Sequence, residues 1–318
     1  MTANFLKNKS YISVDQIKNI KDLQSIFKVA DLMKTKVEAK QIYEPLNGYS
    51  VAVLFYQPST RTFTSFTAAA KRLGAYVTEI HGMEQYSSVS KGETLEDTIR
   101  SIYQTTGADA IVLRHPSDNS SEVAASVSYV PILNAGSGTK EHPTQALLDM
   151  YTIYQHFKNL NNLNVVMVGD LLYGRTIKSL AKLLALYNQK TTITLVSPPQ
   201  LKAPTDFVKQ ISKKVKVVET DDLQGNLKKA DIVYMTRFQK EWFEKSGKMD
   251  EYEKLKDSFI LTRHMATQMK AKALIMHPLP RVGEILAEVD HDPRAKYFEQ
   301  MRSGLYVRMG LLTMILDK

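Results

Sequence analysis

The feature that most constrains this chain is a series of short, apolar, β-rich runs, each followed by an amphipathic helical pattern. They are Val51–Tyr56, Ala110–Leu113, Val165–Val168, Thr192–Val196, Val215–Val218, Ile232–Met235 and Ala273–Met276. A strand with one wet face alternates apolar and polar residues; strands that are apolar throughout must be covered on both faces, and helical crossovers between them make the sheet parallel. The fold expected is therefore α/β, with two doubly wound domains, each a mainly parallel sheet flanked by helices.

Two domains follow from size as well as pattern. The 318 residues, 43% of them hydrophobic, fill one large core or two ordinary ones of about 150 residues each. The segment from His142 to Phe157 reads as one long helix with Pro143 in its first turn, where a missing amide costs nothing. Strand-helix alternation restarts at Val165, so this helix is the natural bridge. The expected boundaries are 1–147 and 148–296. The apolar stretch Leu305–Leu316 is expected to pack back on a core, and the Lys- and Glu-rich segment Phe238–Ser258 to form a long loop or loose helices.

Composition excludes several classes of function. There is no cysteine, so disulfides, thiolate metal sites and a cysteine nucleophile are ruled out. No stretch approaches the roughly 18 uninterrupted apolar residues of a membrane span, and the N-terminus lacks the apolar block of a secretory signal. A cytoplasmic location is the expectation. The net charge of +9 is spread among acidic residues instead of gathered in a block, which suits small anionic substrates better than nucleic acid.

Open parallel sheets place ligands outside the C-terminal ends of their strands, so the residues there are the candidates. Ser59, Thr60, Arg61 and Thr62 stand between the strand VAVLFY and the helical pattern TSFTAAAKRLGA. Backbone amides and the positive helix end meet three hydroxyls and a guanidinium there, which makes a phosphate cradle without glycines; an ordinary N-cap is the alternative. The segment Ser87, Ser88, Val89, Ser90, Lys91, Gly92 precedes a helix that Thr94 and Asp97 can open as a capping box. It suits a mobile flap that closes over an anion, or simply a surface loop. Arg114 and His115 end the strand AIVL, and His142 with Gln145 opens the bridging helix. A satisfied structural histidine is the alternative there.

In the second half, Gly169–Thr176 lacks the G-x-G-x-x-G spacing of a dinucleotide site. Arg175 sits instead at a strand-loop-helix junction, and Arg237 with Gln239 follows the strand IVY. Two arginines from separate strand ends suit a substrate with two carboxylates. His277-Pro278-Leu279-Pro280 lacks amide donors at its prolines and offers carbonyl acceptors, or forms a rigid turn. No candidate pairs a nucleophile with a base, and no metal cluster or cofactor motif appears. Direct group transfer, driven by positioning and oxyanion stabilisation, is the chemistry that remains.

The segments FYQPSTRTFTSF, KGETLEDTIR, VLRHPSDN, LNAGSGTKEHPTQALLDMYTI, VMVGDLLYGRTIKSLAKLLA, VYMTRFQKEW and MHPLPRVGEILAEVDHDPRAKYFEQMRSGLYVRM closely resemble the catalytic chains of the aspartate carbamoyltransferases, the aspartate branch of the transcarbamoylase family. The resemblance spans nearly the whole chain. It implies carbamoyl transfer from carbamoyl phosphate to the α-amino group of L-aspartate, in de novo pyrimidine biosynthesis, at a crevice between a carbamoyl phosphate-binding domain and an aspartate-binding domain. It places the C-terminal helix, here 297–318, on the first domain.

By the same resemblance, Ser59, Thr60, Arg61 and Thr62 hold the phosphate with Arg114. Thr62, Arg114 and His142 surround the carbonyl oxygen, and Gln145 with the carbonyls of Pro278 and Leu279 takes the carbamoyl nitrogen. Arg175 takes the α-carboxylate, and Arg237 with Gln239 the β-carboxylate. Ser87, Ser88 and Lys91 enter a neighbour's active site, where Lys91 also binds the aspartate, which implies a homotrimer. Regulatory chains or other pyrimidine enzymes are possible partners. No metal, cofactor, nucleic acid or membrane is implied. Two other readings stand beside this one: a transcarbamoylase with another acceptor amine, such as ornithine, and a non-catalytic anion-binding chain.

Three positions depart from the family pattern: Gln57 where an acidic residue usually precedes STRT, and Phe63 and Trp242 where basic residues are common. The acid at the first and the base at the last pair across the domains in family members. Both partners are absent here, which costs far less than losing one, because no charge is left alone. Domain closure is therefore expected without that ion pair, with Gln57 orienting Arg175 by a neutral hydrogen bond. Gln57→Glu alone should raise or preserve the aspartate half-saturation concentration in steady-state assays; a lowered value overturns the account.

Overall fold

The computed structural model describes residues 4–187 and 190–318. The chain divides into two compact units, one running to Leu148 and resuming at Arg302–Lys318, the other Asp149–Met301. The first holds β1 (Ser50–Phe55), β2 (Tyr76–His81), β3 (Ala110–His115) and β4 (Ile132–Ser137) in the order β2-β1-β3-β4. The second holds β5 (Asn164–Val168), β6 (Thr192–Val196), β7 (Lys216–Thr220), β8 (Ile232–Met235) and β9 (Leu274–Met276) in the order β7-β6-β5-β8-β9. Every strand pair among these nine is parallel. The α/β expectation holds in both units.

Most of the apolar runs became strands covered on both faces, whereas Val215–Val218 leads into the edge strand β7, where Val218 is exposed. Val51 through Phe55 are all fully buried, as are Ile232 through Met235 and Leu274 through Met276. Burying each such aliphatic side chain contributes about 1.5–3 kcal/mol before conformational entropy is counted. The segments that alternate with the strands are helices, and both units have their own apolar cluster.

Two strands escaped the pattern. β2, at the sheet edge, has exposed Tyr76 and His81 and no fully buried residue, so its sequence YVTEIH never forms an apolar run. β4 is buried throughout but reads ILNAGS. Its polar groups are satisfied: Asn134 Nδ2 donates to the Ile12 carbonyl at 2.8 Å, and Asn134 Oδ1 accepts from the Gly136 amide at 2.7 Å.

Strand order explains where ligands can be held. In the first sheet the chain moves from β1 outward to β2 and then returns to β3 on the other side; in the second it moves from β5 through β6 to β7 and returns to β8. Each sheet therefore has one switch point, β1/β3 and β5/β8, where adjacent connections leave in opposite directions and open a crevice. Ser59–Thr62 follow β1 and Arg114 lies near the C-terminal end of β3, whereas Asp170–Arg175 and Arg237–Gln239 follow β5 and β8.

Two helices contain the unit boundaries. Pro143–Phe157 carries the division after Leu148, and Tyr297–Ile315 carries the other after Met301. Within the second unit, Asp149 accepts from Tyr234 Oη at 2.7 Å and from Gln300 Nε2 at 2.6 Å. Gln300 Oε1 in turn accepts from the His277 amide at 3.0 Å. A buried carboxylate is tolerated because it is hydrogen-bonded, and the relay ties β8 to the turn after β9. The segment Phe238–Ser258 contains two short helices, Lys240–Lys245 and Met249–Leu255. No described helix is long and apolar enough to cross a membrane.

Candidate active site

In the first unit, Ser59 is the N-cap residue of helix Thr60–Arg72, yet its side chain makes no capping hydrogen bond, and the first turn carries no acidic residue. The N-cap alternative therefore explains the position of Ser59 but not its hydroxyl. An acid in that turn would have supplied negative charge to the amides; its absence leaves the helix end attractive to an outside anion. Thr60 and Arg61 are exposed, whereas Thr62 is buried.

Thr62 is where separate motifs meet. Its Oγ1 lies 3.4 Å from Nε2 of His142, a buried residue 80 positions later that immediately precedes helix Pro143–Phe157. Gln145, also buried, lies in the first turn of the same helix, and its amide donates to the His142 carbonyl at 3.1 Å. Two helix starts thus bring a hydroxyl and an imidazole together.

Arg114 lies on β3 at a register shift against β4: Leu113 faces Asn134 but His115 faces Ser137, so β4 carries one extra residue. Such a bulge turns the strand end locally and re-aims its side chains. The Arg114 guanidinium reaches the Ala135 carbonyl at 3.5 Å. Its neighbour His115 is structural. Its ring packs edge-on against Tyr56 with centroids 4.3 Å apart, and its Nδ1 accepts from the Ser117 amide at 3.0 Å.

The proposed flap has a fixed base and an exposed tip. Ser87 Oγ donates to the Met83 carbonyl at 2.6 Å and accepts from the Val89 amide at 3.2 Å. Ser88 and Lys91 are exposed, and Lys91 makes no ion pair among the described residues. Thr94 does cap the next helix, accepting from the Asp97 amide at 3.2 Å, but the Asp97 carboxylate turns to Arg100 instead of completing the expected box.

In the second unit, the ends of β5 and β8 touch at Gly169. The Thr236 amide donates to the Val168 carbonyl at 2.8 Å, and a Cβ on Gly169 would lie 2.2 Å from the Thr236 carbonyl oxygen, at a φ of +122°. Only glycine fits there. The contact brings together the loops carrying Asp170 and Arg237. Asp170 is fully buried; it accepts from the Tyr173 amide at 2.9 Å and from Gln239 Nε2 at 3.4 Å. Burial pushes its carboxyl above the usual range despite these donors. Arg175 begins helix Arg175–Tyr187.

Arg237 forms a two-pronged ion pair with Glu241, Nη1 to Oε2 at 2.9 Å and Nη2 to Oε1 at 2.6 Å. The guanidinium fork is already shaped to a carboxylate. Burial raises the Glu241 carboxyl, but Arg237 outweighs it and holds the group below its usual range. A cavity of about 610 Å³ adjoins Arg237, lined also by Thr236, Lys240, Glu241 and Tyr252. Pro278 and Leu279 form a turn organised by His277, whose Nδ1 accepts from the Leu279 amide at 2.7 Å. The other ring nitrogen meets Glu284 at 2.6 Å. With its one amide used inside the turn, this segment has carbonyls to offer. Among the described residues no group of His, Asp or Glu is arranged to hold a metal.

Residues 9–155 match the aspartate/ornithine carbamoyltransferase family's carbamoyl-P binding domain, and residues 161–315 its Asp/Orn binding domain. The chain belongs to the aspartate/ornithine carbamoyltransferase family. It is 41% identical over 311 residues to the aspartate carbamoyltransferase catalytic subunit of Thermoplasma acidophilum, covering 98% of this chain and 99% of that one. It is also 45% identical over 316 residues to a multifunctional protein of Dictyostelium discoideum; the match takes in 99% of this chain but spans only 14% of the relative. A crystal structure of Trypanosoma cruzi aspartate transcarbamoylase with carbamoyl aspartate and phosphate superposes with a TM-score of 0.92, at 37% identity over 99% of this chain and 98% of that one.

Several residues that pair with the candidates above were not legible as motifs. Asp170 had one signal, a carboxylate between Gly169 and Gly174 directly after a strand, where burial was not evident. Glu241 and Glu284 gave none, since a glutamate beside lysines or glycine reads as surface. Their partners Arg237 and His277 gave them their place.

Burial holds the His115 imidazole down to about 4. The unfolded chain takes up this proton near pH 6.5 and the folded chain only near pH 4, so stability should fall as pH drops through that window. His115→Asn should flatten that part of the curve in urea denaturation at stepped pH; an unchanged slope assigns it elsewhere.

Proposed function

We propose that this chain catalyses transfer of the carbamoyl group of carbamoyl phosphate to the α-amino group of L-aspartate, giving N-carbamoyl-L-aspartate and phosphate. The observation that carries the reading is the Thr62–His142 contact of 3.4 Å. It joins a helix start suited to phosphate with an imidazole suited to a carbonyl oxygen, as displacement at a carbonyl phosphate requires. The named relatives and the Trypanosoma cruzi complex with carbamoyl aspartate and phosphate support it.

Ser59, Thr60, Arg61 and Thr62 hold the phosphate, with Arg114. Thr62, Arg114 and His142 donate to the carbonyl oxygen, whose charge grows as the amine attacks; donors fixed in advance need no reorganisation at that moment. Gln145 and the carbonyls of Pro278 and Leu279 orient the carbamoyl nitrogen. The C–N bond forms as the C–O bond to phosphate breaks, and the proton that the amine loses leaves with the phosphate. Arg175 binds the α-carboxylate, and Arg237 with Gln239 the β-carboxylate. The ion pair to Glu241 shows what shape Arg237 accepts, and a substrate carboxylate competes for the same fork. A cationic acceptor such as ornithine meets two guanidinium groups and is repelled.

Steady-state assays test the reading directly. Turnover should saturate with aspartate and not with ornithine, and Arg61→Ala should lower it roughly 10²–10³-fold or more without changing the far-ultraviolet circular dichroism. Saturation with ornithine alone, or an active Arg61→Ala, defeats it.

The same reading includes a homotrimer, with exposed Ser88 and Lys91, and Ser87 beside them, entering a neighbour's site. It places the enzyme in the cytoplasm, in de novo pyrimidine biosynthesis. The multifunctional relatives support association with other enzymes of that route. Sedimentation should give a particle of three chains, and Lys91→Ala mixed with Arg61→Ala chains should recover activity; a monomer with full activity excludes shared sites.

A further inference from the structure

We propose that Trp242 is a positioning and specificity-determining residue: its indole N–H holds the Gln239 carbonyl, so the NH₂ lies on the Asp170 side with one hydrogen left for a substrate carboxylate, and an ammonium finds no amide oxygen there. This rests on the proposed role of Gln239 in binding aspartate.

A glutamine amide has nearly the same shape in its two orientations but opposite chemistry, so something must choose between them. An indole nitrogen can only donate. Trp242 Nε1 lies 3.3 Å from Gln239 Oε1, which forces the carbonyl toward the indole. The amide nitrogen then faces the fully buried Asp170, 3.4 Å from Oδ2. Reversal would set N–H against N–H at one end and oxygen against carboxyl oxygen at the other. Among the described residues the second amide hydrogen of Gln239 has no partner, two residues along the chain from the Arg237 fork.

The indole is itself held in place. Its ring stacks on Tyr173, with centroids 5.5 Å apart and planes 16° from parallel. Lys245 Nζ lies 5.1 Å from the ring centroid, a cation–π contact of modest strength. The Trp242 amide also donates to the Gln239 carbonyl at 2.9 Å, fixing the backbone between them. Tyr173 comes from the loop that carries Asp170, so one loop holds both the indole and the far end of the amide. Tryptophan at this position adds no charge of its own while its indole supplies the one donor that decides the orientation.

Trp242→Phe keeps a ring on Tyr173 and deletes the N–H. It should raise the aspartate KM, and the dissociation constant of succinate measured by calorimetry with saturating carbamoyl phosphate, about five- to tenfold. Turnover should change less than twofold, and the preference for aspartate over asparagine should fall by a similar five- to tenfold. In a Gln239→Ala background the same substitution should do nothing further. Trp242→Leu, which also loses the stack, calibrates packing, with melting temperatures recorded for each variant. An unaltered succinate affinity in Trp242→Phe, an equal penalty in both backgrounds, or a wild type that does not bind succinate overturns the inference. A wild type inactive with aspartate defeats the proposed function alone, and the succinate affinities still decide the role of Trp242.

Discussion

Parallel pairing is the constraint from which the rest follows. When all strands of a sheet run the same way, every strand ends on one edge and every following helix begins there, so unsatisfied amides and positive helix ends gather on that edge. Each unit obeys this rule, and in each the chain reverses its direction of winding once. The reversal opens the gap beside β1 and β3 in one unit and beside β5 and β8 in the other. A phosphate needs what the first gap offers, and carboxylates need what the second offers once arginines are added. The chemistry thus needs little besides side chains at strand ends.

Precision at those ends comes from buried polar contacts. In the second unit, the missing side chain of Gly169 lets β5 and β8 close on each other, and Asp170, Gln239 and Trp242 then form a chain of directed hydrogen bonds. His277 does similar work on the next strand, accepting the Leu279 amide on one nitrogen while Glu284 engages the other. Such groups are costly to bury alone and specify one arrangement when all are satisfied. The bulge opposite Arg114 serves the first unit in the same way, through backbone instead of side chains.

How much was legible in the sequence depended on burial symmetry. Strands covered on both faces announced themselves, and so did the helix opening at Pro143, because apolar runs and a first-turn proline are local signals. β2 was silent because an edge strand needs few apolar residues, and β4 because its asparagine and serine owe their burial in part to tertiary contacts with Ile12, Ser120 and Ser121. Among site residues, those at strand-helix junctions could be named from position and residue type. The pairing of Thr62 with His142 bridges 80 positions, and that of Asp170 with Gln239 bridges 69. No window on the sequence contains either pair. Glu241 was hidden for another reason: its role exists only through the guanidinium it grips.

The first unit is discontinuous in the chain, and this shapes how it can be made. Its core receives Val307, Leu311, Leu312 and Ile315 from the last helix. That helix locks down through Arg308 Nη1 on Ser65 Oγ at 2.9 Å and the Asn8 amide on the Ile315 carbonyl at 2.8 Å. A ribosome working from the N-terminus delivers the whole second unit before these pieces emerge. The second unit, Asp149–Met301, is contiguous and can close while translation continues, whereas the first must wait with its helix-binding surface open until the helix Tyr297–Ile315 has been made.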